Sequence, residues 1–362
     1  MKKRLWLISS VIALSLAGPA LAVDALRDQA NSLFKPIPQT PPALPDEAST
    51  PEKVALGKML YFDVRVSENH DVSCNSCHDI GLGGVDALSS SSGHNGRLGG
   101  RNVLTVLNAV FNTTQFWDGR AAGLKEQVLG SVMANPAALL KTRGGPTSID
   151  SAASNLTKQH VVETLKGIPG YVEAFKKAFP SDADPIVYDN IGRAIAVFEA
   201  TLITPDAPFD LWLKGRDSAL NDGQKQGLTI FIEKGCASCH NGINIGGGMF
   251  ARFGATRAPG SDLLPSDDWG RFAVTKNLHD KYVFKVPSLR NVELTAPYFH
   301  AGQTWDLRKA VAAMGDVQTN QTLSDDEIGK IVDFLKTLTG RQPEIMLPIL
   351  PPRTVAPRSS NP

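Results

Sequence analysis

All four cysteines of the chain fall into two copies of one pattern, CNSCH at residues 74–78 and CASCH at residues 236–240. Two thiols at this spacing can add across the two vinyl groups of one porphyrin, and the adjacent histidine can then reach the iron. C-x-x-C-H is the attachment signature of a c-type haem. The sequence therefore predicts two covalently bound haem c groups, one attached by Cys74 and Cys77 with ligand His78, and one by Cys236 and Cys239 with ligand His240.

Other uses of paired cysteines fit this pattern less well. A zinc ribbon keeps its two pairs close in sequence, whereas Cys77 and Cys236 lie about 160 residues apart. A disulfide or a redox dithiol is common in exported proteins, but neither requires a histidine directly after the second cysteine. Both copies have that histidine, and no cysteine is left over.

The N-terminus has the parts of a secretory signal peptide, predicted over residues 1–22. Three basic residues precede a mostly apolar stretch at 5–16, which is too short for a membrane span, and Ala20-Leu21-Ala22 forms a cleavage site. The mature form is predicted to be periplasmic and to lack a membrane span. The mature form would have 34 basic residues (37 minus 3) and 36 acidic ones. It therefore lacks the excess of basic residues that binding to nucleic acid requires.

The surroundings of the two motifs are alike, which indicates a diverged duplication. A helix precedes each motif, with Thr50 and Asn221 as the expected caps. An amphipathic helix closes each half, the second beginning with the capping box Ser324 and Glu327. The apolar residues expected on the buried faces of these closing helices are Ile191, Ile195, Phe198 and Leu202, then Ile328, Ile331, Val332, Leu335 and Leu338. The predicted class is mainly α, with few short strands and two cytochrome c-like haem domains packed against each other.

Proline-rich stretches mark the expected domain limits. An extended N-terminal arm is predicted at 23–48, the N-terminal haem domain at 49–204, the C-terminal haem domain at 205–340 and a C-terminal arm at 341–362. The central boundary falls where Pro205 and Pro208 interrupt the helical period.

The sixth iron ligands decide what each haem can do, because a haem with an open position can bind peroxide. His94 lies among glycines that let a loop move, and a solvated surface histidine is the alternative reading. Met314 is a candidate thioether ligand in the second half, and a core methionine is the alternative. The residues alone leave both choices open.

The chain resembles the bacterial di-haem cytochrome c peroxidases over roughly residues 35 to 350. The resemblance rests on long segments, among them NVLTVLNAVFN from Asn102, QFWDGRAAGLKEQ from Gln115, FEATLITPDAPFDLWLKG from Phe198 and FKVPSLRNVELTAPYFHAG from Phe284. It implies that His94 is the distal ligand of the oxidised N-terminal haem, that Met314 is the distal ligand of the C-terminal haem, and that Trp117 lies between the haems. It also implies a calcium ion held by Asn102 and the backbone carbonyls of Thr295 and Pro297.

The resemblance implies a function as well. The family reduces hydrogen peroxide to water with electrons from a small periplasmic c-type cytochrome or cupredoxin, and it is usually homodimeric. Reduction of the C-terminal haem is expected to release His94, so that peroxide can bind at the His78 haem.

One region departs from the family pattern. Family members have a Glu shortly after an Asn-Pro pair, where it moves a proton during peroxide cleavage with the help of a Gln. Here Gln127 is present, but Ala138 stands at the expected Glu position, and the stretch 141–158 that follows looks like an insertion of about a dozen residues. Asp150 is a candidate to replace the missing Glu. The alternative is that the insertion is a tolerated extension of a surface loop without a role in catalysis.

Two other functions stay open for this reason. A di-haem electron carrier would keep His94 bound, and a di-haem oxidase with weak peroxidase activity would use the same haems. The branch that matures a tryptophan-derived cofactor carries Tyr in place of the distal methionine, so Met314 speaks against it. Arg120 and Arg271 are candidate partners of haem propionates, with a surface role as the alternative.

Overall fold

The computed structural model describes residues 19–45, 47–67, 70–93, 98–130 and 151–353. His94, Ala138, Asp150 and most of the predicted signal peptide lie outside the described residues. The helices are α1 (Pro19–Leu33), α2 (Pro51–Phe62), α3 (Cys74–Cys77), α4 (Leu124–Leu129), α5 (Ser151–Lys166), α6 (Pro169–Ala178), α7 (Tyr188–Ala200), α8 (Pro208–Leu213), α9 (Asp222–Glu233), α10 (Phe272–Thr275), α11 (Leu307–Thr319) and α12 (Asp325–Lys336). Within the described residues the strands are β1 (Phe250–Arg252) and β2 (Val283–Lys285), which pair antiparallel. The predicted mainly α class with few short strands is confirmed.

In the N-terminal half, α2 crosses α7 and leads into the first haem motif. Thr50 caps α2 as predicted, accepting a hydrogen bond from the backbone N–H of Lys53 at 3.2 Å. A Cβ at Gly57 would overlap the carbonyl oxygen of Ala194, so glycine permits this close approach of the two backbones. The residues predicted for the inner face of this closing helix, Ile191, Ile195, Phe198 and Leu202, are all buried.

The C-terminal half repeats this arrangement with α9 and α12. Both predicted helix caps are present. Asn221 forms a capping box at the start of α9, and Ser324 forms one with Glu327 at the start of α12. Gly227 of α9 meets the carbonyl oxygen of Lys330 on α12 just as Gly57 meets Ala194. The two halves therefore share a helix crossing built around one glycine, which supports the duplication.

Replacing Gly227 by Ala is expected to lower the free energy of unfolding by about 1–3 kcal/mol, because the new methyl group meets a backbone carbonyl that cannot rotate away. Gly329→Ala on α12 is the matched control, since its Cβ would meet only the flexible end of Arg308 and alanine favours a helix. Denaturant titration of both haem-loaded variants tests this. Equal midpoints for the two variants would contradict the close crossing.

The predicted extended arm at 23–48 needs correction in its first part, because α1 continues to Leu33. Ala30 is fully buried, and Leu26 and Leu33 pack partly buried against the core of the C-terminal half, so one face of α1 is covered. The chain leaves the helix only where proline begins to recur, from Pro36 onward. The C-terminal arm contacts the N-terminal half, because the carbonyl oxygen of Pro351 accepts a hydrogen bond from Arg65 at 2.9 Å. No helix among the described residues is long and apolar enough to cross a membrane.

Candidate haem sites

The second haem motif lies directly after α9. Gly235 adopts a left-handed conformation (φ 83°) that ends the helix and turns the chain into Cys236. His240 is buried, and its Nδ1 lies 3.4 Å from the carbonyl oxygen of Ile245, which leaves Nε2 for another partner. Burial lowers the pKa of His240 to about 4, so the imidazole is neutral at neutral pH. Neutral imidazole is the form that binds a metal ion.

A cavity of about 410 Å³ opens beside this motif, and we call it the C-terminal cavity. Cys236, Cys239 and His240 line it on one side, and Met314 reaches it from α11. The lining is mostly apolar, as the pocket of a large planar cofactor requires. The structure thus brings together the two thiols, the proximal histidine and the candidate distal thioether, and these residues fit a covalently bound haem.

The first haem motif forms α3, a single turn with a Ser73–Ser76 capping box. The hydroxyl of Tyr61 donates a hydrogen bond to the carbonyl oxygen of His78 at 2.6 Å, which fixes the end of the motif. Nδ1 of His78 is buried with no hydrogen-bond partner among the described residues, and burial lowers the pKa of this histidine. Half-buried His78, whose Nδ1 is itself buried, lies beside Cys74 and Cys77 and fits a proximal haem ligand. His94 lies outside the described residues, so the opposite side of this site is not described.

Trp117 belongs to the N-terminal half but lines the C-terminal cavity. Its indole N–H donates to the carbonyl oxygen of Asn102 at 2.8 Å, and its own carbonyl accepts from the backbone N–H of Lys285 at 2.7 Å. The ring of His300 lies edge-on at 6.0 Å between centroids. Trp117 is therefore held in one orientation where the two halves meet.

The three residues predicted for calcium are also brought together. Asn102, Thr295 and Pro297 all line the C-terminal cavity, and Asn102 is further fixed by a hydrogen bond from its amide to the carbonyl oxygen of Leu88 at 2.8 Å. Amide and backbone carbonyl oxygens are ligands that Ca²⁺ accepts. The calcium assignment remains a prediction.

Gln127, the residue predicted to assist proton transfer, lies apart from the C-terminal cavity. It lies half-buried on α4, a helix that packs against α7, and it does not line the C-terminal cavity. The segment expected to carry its acidic partner, residues 131–150, lies outside the described residues. Its role in proton transfer therefore stays a prediction.

Sequence reasoning missed two buried ionisable residues near these sites. Glu199 on α7 is 3% exposed, and burial raises its pKa to about 8. Lys285 on β2 is 1% exposed and lines the C-terminal cavity. The only signal in the sequence was a charged residue inside an apolar run, such as Phe284-Lys285-Val286, and that signal alone does not distinguish a site from a strand edge.

The fold and the two motifs define a protein built from two c-type haem domains. A family model described as di-haem cytochrome c peroxidase matches residues 51–218, and one described as cytochrome c matches residues 224–339. The cytochrome c551 peroxidase of Pseudomonas aeruginosa is 48% identical over 343 residues, which cover 95% of this chain and 94% of that protein. The cytochrome c551 peroxidase of Nitrosomonas europaea is 43% identical, with 95% of each chain covered. The chain belongs to the di-haem cytochrome c peroxidase family.

More distant relatives mark the breadth of this family. The methylamine utilization protein MauG of Methylorubrum extorquens is 35% identical, with 83% of this chain and 82% of that protein covered. A crystal structure of a MauG-like protein associated with microbial copper homeostasis superposes with a TM-score of 0.71 at 26% identity, covering 84% of this chain and 94% of that one. Membership makes the chain a cytochrome c peroxidase with covalently bound haem c and with hydrogen peroxide as substrate.

Proposed function

We propose that this chain is a periplasmic peroxidase that receives electrons from a small c-type cytochrome or a cupredoxin and is activated by reduction of its C-terminal haem. One observation carries the proposal: His240, Met314 and Trp117 line a single cavity, although Trp117 comes from the other half of the chain. This arrangement supports a haem held by His240 and Met314 beside Trp117, through which an electron would pass toward the other haem.

The two sites differ in the ligands that this chain offers. His240 and Met314 would hold the C-terminal iron, and a soft thioether favours the ferrous state. His78 and His94 would hold the N-terminal iron, a harder pair that lowers the potential and closes the site to peroxide. When bound, the haems supply one-electron couples, and peroxide reduction to water needs two electrons. Storing one electron beside Met314 would prepare the chain for that reaction.

Release of His94 is the gating step of the proposal. In the sequence His94 is preceded by Gly93 and followed by Asn95-Gly96, and glycine adopts backbone conformations that are costly for other residues. Gln127 would help to orient peroxide, and Ala138 offers no carboxyl group for proton transfer. Proton transfer would then depend on water held by Gln127 or on Asp150, and slow turnover is the expected consequence.

Calcium and a homodimer belong to the same proposal. The amide oxygen of Asn102 and the backbone carbonyls of Thr295 and Pro297 would bind Ca²⁺ beside Trp117, where the two halves meet. A Ca²⁺ ion there would fix the position of one half relative to the other. We therefore propose that calcium binding supports the active form.

The gating step can be tested with the wild-type protein. Half-reduced protein is expected to consume peroxide at least about tenfold faster at first than fully oxidised protein, because only the former has an open N-terminal site. Stopped-flow rates, with the absorption spectrum of a high-spin haem recorded in parallel, measure both properties. Equal initial rates would remove the gating step.

The same experiment separates the alternatives. Absence of any high-spin haem after one-electron reduction would favour an electron carrier that keeps His94 bound. A high-spin haem that consumes peroxide without oxidising a donor cytochrome would favour an oxidase of the kind related to MauG.

A further inference from the structure

Lys285 presents a buried positive charge for which the described residues supply no counter-charge. Its side chain is 1% exposed. Among the described residues, none accepts a hydrogen bond from its ammonium group or forms an ion pair with it, and none of the residues that line the C-terminal cavity is Asp or Glu. An isolated buried ammonium is costly in free energy, and its usual outcome is either a counter-charge or loss of the proton. Burial accordingly lowers the pKa of Lys285 to about 8.

The other two cations of this cavity are already accounted for. Lys234 forms an ion pair with Glu327, with 2.8 Å between Nζ and Oε1. Arg252 is exposed, and its guanidinium lies over the ring of Tyr282. Lys285 is therefore the cavity cation that is both buried and without a counter-charge among the described residues.

The arginines suggested by the sequence as propionate partners are occupied elsewhere. Arg120 forms an ion pair with Asp118 at 3.0 Å, and Arg271 donates to the carbonyl oxygen of Asp118 at 3.0 Å. Neither of them lines the C-terminal cavity.

We propose that Lys285 pairs with a propionate of the C-terminal haem and that its charge raises the reduction potential of that haem. The proposal rests on the assignment of a haem to the C-terminal cavity. A haem would bring two carboxylates into a cavity whose described lining carries a buried ammonium and no Asp or Glu. β2 fixes this lysine, because its backbone N–H donates to Trp117 and the strand pairs with β1 at Phe250.

The effect on the potential follows from electrostatics. Reduction removes one positive charge at the iron, so a nearby cation stabilises the reduced state. Lys285 is buried in a mostly apolar wall, where this interaction is screened weakly. Lys285 is a positioning residue in this role, since it acts on the haem through the propionate.

Lys285→Met keeps the length and the apolar stem of the side chain and removes its charge. At about pH 7.5, where a propionate without its partner stays ionised, the equilibrium constant for reduction of the C-terminal haem is expected to fall about tenfold, which is 59 mV for a one-electron couple. Spectroelectrochemical titration measures this shift. Lys285→Arg should restore the potential because it restores the charge.

Lys309→Met is the matched control, because it removes one exposed charge from α11, the helix that carries Met314. Its potential should remain that of the wild type. An unchanged potential in Lys285→Met with both haems attached would overturn the proposal, as would a loss that Lys285→Arg does not reverse. Absence of an attached haem in the wild-type C-terminal domain would instead overturn the haem assignment, and the visible spectrum separates these outcomes.

Discussion

Met314→His is expected to lower the reduction potential of the C-terminal haem by at least roughly 120 mV. This shift corresponds to a fall of about a hundredfold in the equilibrium constant for its reduction. The thioether of methionine stabilises ferrous iron, whereas imidazole donates more strongly to ferric iron. The donor would then leave this haem oxidised, and the activating electron would not arrive. Steady-state peroxide reduction with the donor should fall in parallel, and redox titration with a donor-linked assay measures both.

Met346→His provides the matched control. Met346 is 84% exposed in the C-terminal arm and lies outside the C-terminal cavity, so its replacement should leave the potential unchanged. A Met314→His variant with wild-type potential and activity would show that Met314 is not an iron ligand. Chemical reduction of this variant by a stronger reductant should restore peroxide binding, which distinguishes a failed electron supply from a damaged site.

Local features of the fold could be predicted from the sequence because neighbouring residues determine them. Thr50, Asn221 and Ser324 cap helices through bonds that reach only three residues along the chain. The inward faces of α7 and α12 follow from apolar spacing at the helical period. The haem motifs are equally local, since each contains its two thiols and its histidine within five residues.

Features that depend on distant contacts could not be predicted in this way. α1 forms where an extended arm was expected, because its apolar residues pack on the core of the C-terminal half. Arg27 on the same helix donates a hydrogen bond to the carbonyl oxygen of Trp212, 185 residues further along the chain. The burial of Lys285 depends on the pairing of β2 with β1 and on its contact with Trp117. A lysine inside an apolar run gives no sign of which side it faces until these partners are known.

The largest expected effect on stability comes from a buried ion pair that links the arm to the C-terminal half. The side chains of Arg290 and Asp210 are both fully buried, with 2.7 Å between Nη1 and Oδ1. The same guanidinium donates to the carbonyl oxygens of Lys35 and Ile243, and the second carboxylate oxygen accepts from the backbone N–H of Ile37. One pair thus joins α8, the loop after the second haem motif and the arm that follows α1.

Asp210→Asn is expected to lower the free energy of unfolding by about 3–5 kcal/mol, because it leaves the charge of Arg290 buried without a counter-charge. Asp184→Asn is the control, since Asp184 pairs with Lys166 at the surface and such pairs contribute at most about 1 kcal/mol. Denaturant unfolding of the haem-loaded variants measures both. A loss below about 1 kcal/mol for Asp210→Asn would mean that water or a local rearrangement satisfies Arg290. Proteolysis near residue 37 should rise in the same variant, because the single amide oxygen of Asn cannot accept from both Arg290 and the backbone N–H of Ile37.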